Sequence, residues 1–222
     1  YYIRAPRISQ ALEIVSRVQD IARGAALMSG TTMESKVIGG MCDFQPNAVL
    51  GELTTRALEE LGGPAFTEED YALAERFFQQ FSDNERSASL ATLALSYPEV
   101  KRFRQTALIS DVAPYYRTEK YVYYSSDIGD VSYAVPTVQL NMACYANGTP
   151  GHSWQLTAQS GSSLSHKGLL AAGKVLGLAM ARLYRQPNLL AAARAEWLSE
   201  TGGAYLCPIG DDIQPKLSDF EE

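Results

Sequence analysis

Apolar residues recur at intervals of three and four residues in several stretches of the chain, which predicts α-helices. The predicted helices cover residues 9–29, 47–61, 67–81, 167–185 and 189–200. Ser9 and Thr67 are suitable residues to begin a helix, and Ser29-Gly30 provides a stop for the first one. Capping residues therefore mark the first helix in addition to its periodicity.

Other stretches alternate polar and apolar residues or are continuously apolar, which is typical of β-strands. We expect strands at residues 1–5, 31–38, 121–124 and 135–142. Strands that alternate with helices along a chain predict an α/β fold. Residues 82–118 are mixed in character and give no assignment.

Two interruptions suggest how the chain is divided. Gly39-Gly40 and Pro46-Asn47 break the pattern and mark a domain crossing. The chain starts at Tyr1 with what resembles the middle or end of a strand, without the basic and apolar regions of a signal peptide. We therefore expect it to be the C-terminal part of a longer protein.

Charge and cysteine usage narrow the classes of function. The net charge of −6 and the absence of a basic run argue against nucleic acid or an anionic membrane as the main partner. The longest apolar helix is interrupted by Lys174, Arg182 and Arg185, so no segment is predicted to span a bilayer. The three cysteines are odd in number and widely spaced, which favours buried thiols in a reducing compartment and hence the cytoplasm.

The two histidines are the most informative polar residues, because imidazole suits both metal binding and proton transfer. His152 is in a Gly- and Ser-containing loop between a predicted strand and a helix, where rigid scaffolds often hold ligating groups. The alternative is a loop histidine that only makes local hydrogen bonds. His166 precedes the long helix, where it caps the helix or faces solvent. A single histidine is a weak metal signal, since a site needs several ligands.

Asp127 and Asp130 occupy a turn that follows the predicted strand at residues 121–124. Open α/β sheets bind ligands at such strand ends. The competing interpretation is a pair of turn aspartates that accept hydrogen bonds from nearby backbone N–H groups. Both interpretations stay open on the residues alone.

Several strings resemble a known family. Ser126-Asp-Ile-Gly-Asp-Val-Ser132 and Gly148-Thr-Pro-Gly-His-Ser-Trp154 are the most specific, and residues 82–118 match weakly. They resemble the aminoacylase and carboxypeptidase G family of co-catalytic metallopeptidases, also called amidohydrolases, and within it the aminobenzoyl-glutamate hydrolase type. The resemblance runs along most of residues 1–200.

The resemblance implies a two-domain subunit. Residues 1–45 would be the C-terminal half of a ferredoxin-like (βαββαβ) dimerisation lid. Residues 46–222 would be the C-terminal half of an α/β catalytic domain. A homodimer formed through the lid is implied, with a second type of subunit as a further partner.

The resemblance also implies a reaction, the cleavage of an N-acyl amino acid amide such as p-aminobenzoyl-glutamate. Two divalent metal ions, zinc or manganese, would activate the water molecule that attacks the amide carbonyl. His152 matches the family's last metal ligand, and Asp127 matches an acidic turn beside the active site, where it would contact substrate. The general base and the other ligands are expected upstream of Tyr1, so these 222 residues are expected to be inactive alone. The alternative is a non-catalytic, ligand-binding or structural subunit of the same fold.

Overall fold

The computed structural model describes residues 1–95, 97, 99–118, 120 and 125–209. Within these ranges the regular structure is α-helix and one short 3₁₀ segment, Val100–Phe103. The α-helices are α1 (Ile8–Ser29), α2 (Ala48–Leu61), α3 (Glu68–Phe78), α4 (Asp83–Leu93), α5 (Ile128–Ala134), α6 (Trp154–Ser160), α7 (Ser163–Arg185) and α8 (Pro187–Thr201). None of the helices in the described ranges has the length and apolar character needed to cross a membrane.

The predicted α/β fold with half of a ferredoxin-like (βαββαβ) lid is wrong for this chain. The structure is 56% helix and contains no sheet in the part that it describes. Residues 1–5, 31–38 and 135–142 were expected to be strands, but none of them forms one. A strand needs a neighbour to accept and donate its backbone hydrogen bonds, and alternation along one segment cannot supply that neighbour. The strand predicted at 121–124 lies outside the described residues.

The chain divides into two compact units. The first comprises the described residues within Tyr1–Gln45, Tyr123–Thr137 and Trp197–Glu222, and the second those within Pro46–Val122 and Val138–Glu196. The assignment of residues 1–45 to half a dimerisation lid and of 46–222 to half a catalytic domain stays a prediction.

Helix α1 in the first unit confirms the helix predicted at residues 9–29. Its first turn is held by Asp43, whose Oδ1 accepts a hydrogen bond from the Ile8 N–H at 3.0 Å. It ends at Gly30, which adopts a left-handed conformation with φ 66°. Glycine adopts this conformation without a steric penalty, so the predicted stop has a direct physical cause.

The second unit is built around the packing of α2 on α7. Leu53 and Ala57 of α2 form a buried cluster with Val175 and Ala179 of α7. Helix α2 begins at Asn47, whose Oδ1 accepts the Leu50 N–H at 3.0 Å. The apolar spacing along each helix produces one buried face, and the buried faces of α2 and α7 pack against each other.

A buried carboxylate fixes the start of α3 beside the start of α7. Asp70 is 1% exposed and accepts hydrogen bonds from Thr67, Ser163 and Lys167. Burial favours the neutral acid, but the hydrogen bonds from Lys167, Ser163 and Thr67 outweigh it and hold the pKa of Asp70 well below its usual range. The charged form of Asp70 therefore stabilises the folded unit above the pKa of an unfolded aspartate.

Helix α4 forms in the stretch that gave no assignment from the sequence. Ser82 precedes it, and the Ser82 Oγ accepts the Glu85 N–H at 3.3 Å. The Glu85 carboxylate in turn accepts the Ser82 N–H at 2.7 Å, which completes a capping box. Hydrogen bonding to Ser82 lowers the pKa of the Glu85 carboxyl. The Ser-x-x-Glu signal was present in the sequence and marks this helix correctly.

Candidate functional site

The loop that carries His152 is supported by a buried glutamine. Gln159 of α6 is fully buried, and its Oε1 accepts the Ala146 N–H at 2.8 Å. Its Nε2 donates to the Thr149 Oγ1 at 2.9 Å, and the Thr149 hydroxyl donates to the Ala146 carbonyl. Both ends of the turn between Ala146 and Thr149 are thus bonded to one side chain. This arrangement restricts the backbone that leads to His152.

Asn147 fixes the start of the same loop through contacts with residues that precede the loop in the chain. Its side chain is buried, and its Nδ2 donates to the carbonyls of Phe103 and Thr106 at 3.1 and 2.9 Å. Its Oδ1 accepts a hydrogen bond from the Ser89 hydroxyl at 3.1 Å. Every polar group of this side chain therefore contributes to holding the loop in place.

His152 lies at the exposed end of this supported loop. Its backbone has a φ of 53°, and it is the one non-glycine residue with positive φ in the described part of the chain. Its side chain is exposed, and among the described residues no hydrogen bond or ion pair engages the imidazole. A left-handed non-glycine residue is uncommon and is maintained only when its surroundings determine it. The loop consequently presents the imidazole outward in one orientation of the backbone.

Ser153 serves the helix that follows and not the imidazole. Its Oγ donates to the Pro150 carbonyl at 2.7 Å and accepts the Leu156 N–H at 3.2 Å, so it caps α6. These two bonds occupy the hydroxyl as donor and as acceptor. The adjacency of His152 and Ser153 in the sequence accordingly has a structural explanation.

His166 lies inside α7, which begins at Ser163, earlier than the predicted start at residue 167. Its side chain is exposed, and its N–H donates to the Ser162 carbonyl as an ordinary helical bond. The simpler of the two interpretations of His166, a solvent-facing residue in the first turns of a helix, agrees with this position.

Asp127 precedes α5 in the first unit, whereas His152 belongs to the second unit. It is exposed, with ordinary helical dihedral angles, and its Oδ1 accepts the Ser126 hydroxyl at 3.2 Å. Asp127 lies in the predicted turn, which leads directly into the short helix α5, and Asp130 lies inside that helix. A carboxylate at this end of a helix is favourable because it faces the positive end of the helix dipole.

Asp130, the second aspartate of the same string, is occupied by contacts within its own unit. Its Oδ2 accepts the Cys42 N–H at 3.3 Å, and its Oδ1 accepts the Tyr205 hydroxyl at 3.0 Å. Burial, with a further contribution from Asp130, raises the pKa of Cys42 to about 12. Burial also raises the pKa of Tyr205, and Cys207 and Asp130 add to the effect. Cys42 therefore stays a protonated thiol, in line with its predicted burial. Cys144 is only half-buried and Cys207 is exposed, so the prediction of buried thiols is wrong for Cys207.

The glycine of this string has a packing role. A Cβ on Gly129 would lie 1.9 Å from the Cys42 carbonyl oxygen, so any larger residue would push α5 away from that segment. Ser132 of the same helix is fully buried and accepts the Gln45 N–H at 2.9 Å. The Trp197 Nε1 donates to the Ser132 carbonyl at 2.9 Å. The string that resembled a ligand-binding turn thus also builds the first unit.

A shallow groove of about 390 Å³ lies between α2 and α8 in the second unit. Its lining is mainly apolar, with Glu52, Arg56 and Glu196 as the charged members. The Glu196 carboxylate accepts the N–H groups of Ala48 and Val49 at 2.8 and 3.0 Å. Glu52 pairs with Arg56 at 3.3 Å. The polar groups of the groove therefore serve the helices that form it.

No group of three or more histidine, cysteine, aspartate or glutamate side chains that could hold a metal ion occurs among the described residues. The implied two-metal centre is not assembled by these residues, and His152 fits it as one ligand at most. Gln159 and Asn147 were not predicted to matter. Asn147-Gly148 is a turn signal, but Gln159 has no local signal because its partners Ala146 and Thr149 belong to the preceding loop.

The comparison with known proteins agrees with the resemblance of the sequence strings. The chain is 35% identical over 221 residues to a protein of Escherichia coli (strain K12) that is named as a subunit of p-aminobenzoyl-glutamate hydrolase, and the match covers 97% of the chain. The predicted resemblance is confirmed. The match covers 46% of the Escherichia coli protein, so the chain spans about half the length of this curated relative. No protein-family model and no solved structure matches the chain.

Proposed function

We propose that this chain is part of a metal-dependent amidohydrolase that cleaves an N-acyl amino acid amide such as p-aminobenzoyl-glutamate. The similarity to a protein named as a hydrolase of that compound supports the reaction class. The single structural observation that carries the proposal is the His152 loop. It holds an exposed imidazole in a rare backbone conformation by means of buried hydrogen bonds.

His152 is the residue that we assign to metal binding. Neutral imidazole is a common ligand for zinc and other divalent metals, and it binds best when its orientation is set by the surrounding protein. Because the described residues supply no further cluster of ligands, the remaining ligands and the general base belong to polypeptide beyond the described ranges. The two divalent ions, zinc or manganese, are part of the proposal on the strength of the resemblance alone.

Asp127 is assigned to substrate binding. Its carboxylate is exposed, in contrast to that of Asp130, which accepts hydrogen bonds from Cys42 and Tyr205. A carboxylate in this position would bind an amino or amide N–H of a substrate. An assembly with a second type of chain also belongs to the proposal, because the name of the Escherichia coli relative designates it as one subunit of an enzyme.

The test is made in the full-length protein that contains this chain, with His166→Ala as the matched control for His152→Ala. Metal content is measured by mass spectrometry after chelation and reloading with zinc or manganese, and hydrolysis of p-aminobenzoyl-glutamate is followed in parallel. We expect His152→Ala to lose metal and at least about 100-fold in kcat/KM, by analogy with the cost of disturbing a metal shell. His166→Ala should retain both.

Full metal content and full activity in His152→Ala would remove His152 from the site. A wild-type protein that binds metal and ligand but releases no glutamate would favour the non-catalytic subunit instead. That outcome is informative because the binding and hydrolysis measurements are made on the same preparation.

A further inference from the structure

Two of the three cysteines lie in segments that contact each other within the first unit. The Cys42 thiol donates a weak hydrogen bond to the carbonyl oxygen of Leu206, with the sulfur 3.7 Å from that oxygen. Leu206 is joined by a peptide bond to Cys207. Cys144, the third cysteine, belongs to the second unit. The fold of the first unit therefore brings together two thiols that are far apart in the sequence.

Contacts on both sides of the two cysteines hold their segments together. A Cβ on Gly40 would lie 2.7 Å from the Cβ of Pro208, so the backbones also approach closely at this point. The Asp130 carboxylate accepts the Cys42 N–H at 3.3 Å through one oxygen and the Tyr205 hydroxyl at 3.0 Å through the other. One side chain of α5 thus bridges the two segments that carry the cysteines.

The two thiols differ in exposure and in reactivity. Cys207 is exposed, whereas Cys42 is only 6% exposed. Burial raises the pKa of Cys42, which makes its thiol slow to react directly with an oxidant and leaves Cys207 to react first. Cys207 contributes to the raised pKa values of both Cys42 and Tyr205, as expected for a sulfur that lies close to both groups.

We propose that Cys42 and Cys207 are a redox-active pair that forms a reversible disulfide when the protein meets a peroxide. The Cys207 sulfur, as its thiolate, attacks one peroxide oxygen, the O–O bond breaks, and hydroxide leaves with a sulfenic acid on Cys207. The Cys42 sulfur then attacks the Cys207 sulfur, the S–O bond breaks, and the departing hydroxide takes the Cys42 proton as water. The two sulfurs together lose two electrons, which reduce the peroxide.

The disulfide would replace weak contacts between the two segments with a covalent bond. The Cα atoms of bonded cysteines are usually about 4.4–6.8 Å apart, a range that segments in direct backbone contact reach. Where small thiols are abundant, such a bond is transient, because a dithiol returns the two electrons and restores both cysteines. The pair would then fasten residues 205–208 to residues 40–42 only under oxidising conditions.

The experiment is made on the full-length protein that contains this chain. The reduced protein is treated with hydrogen peroxide, free thiols are alkylated in denaturant, and the digest is analysed by mass spectrometry without reductant. We expect one pair of peptides joined through Cys42 and Cys207, lighter by two hydrogen atoms than the separate peptides, in most molecules and at a rate independent of protein concentration. Dithiothreitol should release both peptides.

Matched variants separate this pair from the other cysteine. Cys144→Ser should form the linked peptides as the wild type does. Cys207→Ser removes an exposed side chain, and Cys42 should then stay a thiol that is alkylated in denaturant. Cys42→Ala should accumulate the sulfenic acid on Cys207, which dimedone traps.

Three results would each overturn the proposal. The first is a Cys207 that does not react with peroxide in the native protein. The second is a Cys207 that proceeds to the sulfinic acid in the wild type while Cys42 stays a thiol. The third is a disulfide between two molecules, recognised by a rate that falls on dilution. None of these measurements depends on amide hydrolysis, so the result stands apart from the test of His152.

Discussion

The loop at residues 146–153 and the segment at residues 125–130 each expose a residue that the sequence marked as functional, but they are built differently. In the first, buried side chains of Asn147 and Gln159 hold a strained backbone and leave the His152 imidazole outside. In the second, Asp127 has ordinary helical angles, and the Asp130 carboxylate accepts a hydrogen bond from Cys42 that holds α5 against that segment. The difference suggests that the first region is built to present a side chain and the second to start a helix.

This contrast distinguishes residues that hold the backbone in place from residues whose side chains are only exposed by it. Gln159 and Asp130 are the supporting residues of the two regions, whereas His152 and Asp127 are the exposed ones. Changes to the supporting residues should lower stability, whereas loss of the exposed side chains should not.

Gln159→Leu should lower the free energy of unfolding by about 2 kcal/mol, because it leaves the buried Ala146 N–H without its acceptor and removes the donor to the Thr149 hydroxyl oxygen. Denaturation with urea, followed by circular dichroism, measures the change. Gln155→Leu in the same helix is the control and should change stability by no more than about 0.5 kcal/mol. An equal effect of both substitutions would show that Gln159 does not support the loop.

Asp130→Ala should destabilise by about 1 kcal/mol, since it removes the acceptor of the Cys42 N–H and of the Tyr205 hydroxyl. Asp127→Ala in the same string should stay within about 0.5 kcal/mol of wild type, because its carboxylate is exposed. The same denaturation experiment compares them. If Asp127→Ala proved the more damaging, the distinction between supporting and exposed residues in this turn would fail.

His152→Gly should leave stability within about 0.5 kcal/mol of wild type. Glycine relieves the left-handed strain of about 1 kcal/mol but loses a similar amount through the greater freedom of the unfolded chain. His152→Val, which cannot adopt this conformation easily, is the contrasting variant and should unfold at lower urea. A large loss of stability in His152→Gly would mean that the imidazole itself is part of the packing.

The helices could be predicted to a considerable extent. The sequence identified α1, α2, α3, α7 and α8 from apolar spacing and caps, since both signals act within a few residues. Helix α4 was missed although its Ser82 capping box is local. The strands were wrong because alternation describes one face of a segment, whereas a strand exists only beside another strand.

The candidate site was predictable only in part. His152 was selected from a motif, and its role as a metal ligand stays a prediction. The family resemblance behind that choice is supported by 35% identity to a protein named as a hydrolase subunit. Gln159 could not be found in this way, because its role arises from a helix folding back on the loop before it. Neither the sequence motif nor the structure places further metal ligands next to His152 among the described residues.

The sequence by itself determined the approximate extents of five helices, the position of His152 in a glycine- and proline-containing loop, and the resemblance to a known protein. These properties depend on contacts between residues close together in the chain or on direct similarity. Only the tertiary structure decided that Asp130 is committed to packing and that Gln159 supports the His152 loop. Those outcomes depend on contacts between distant residues, which folding alone brings together.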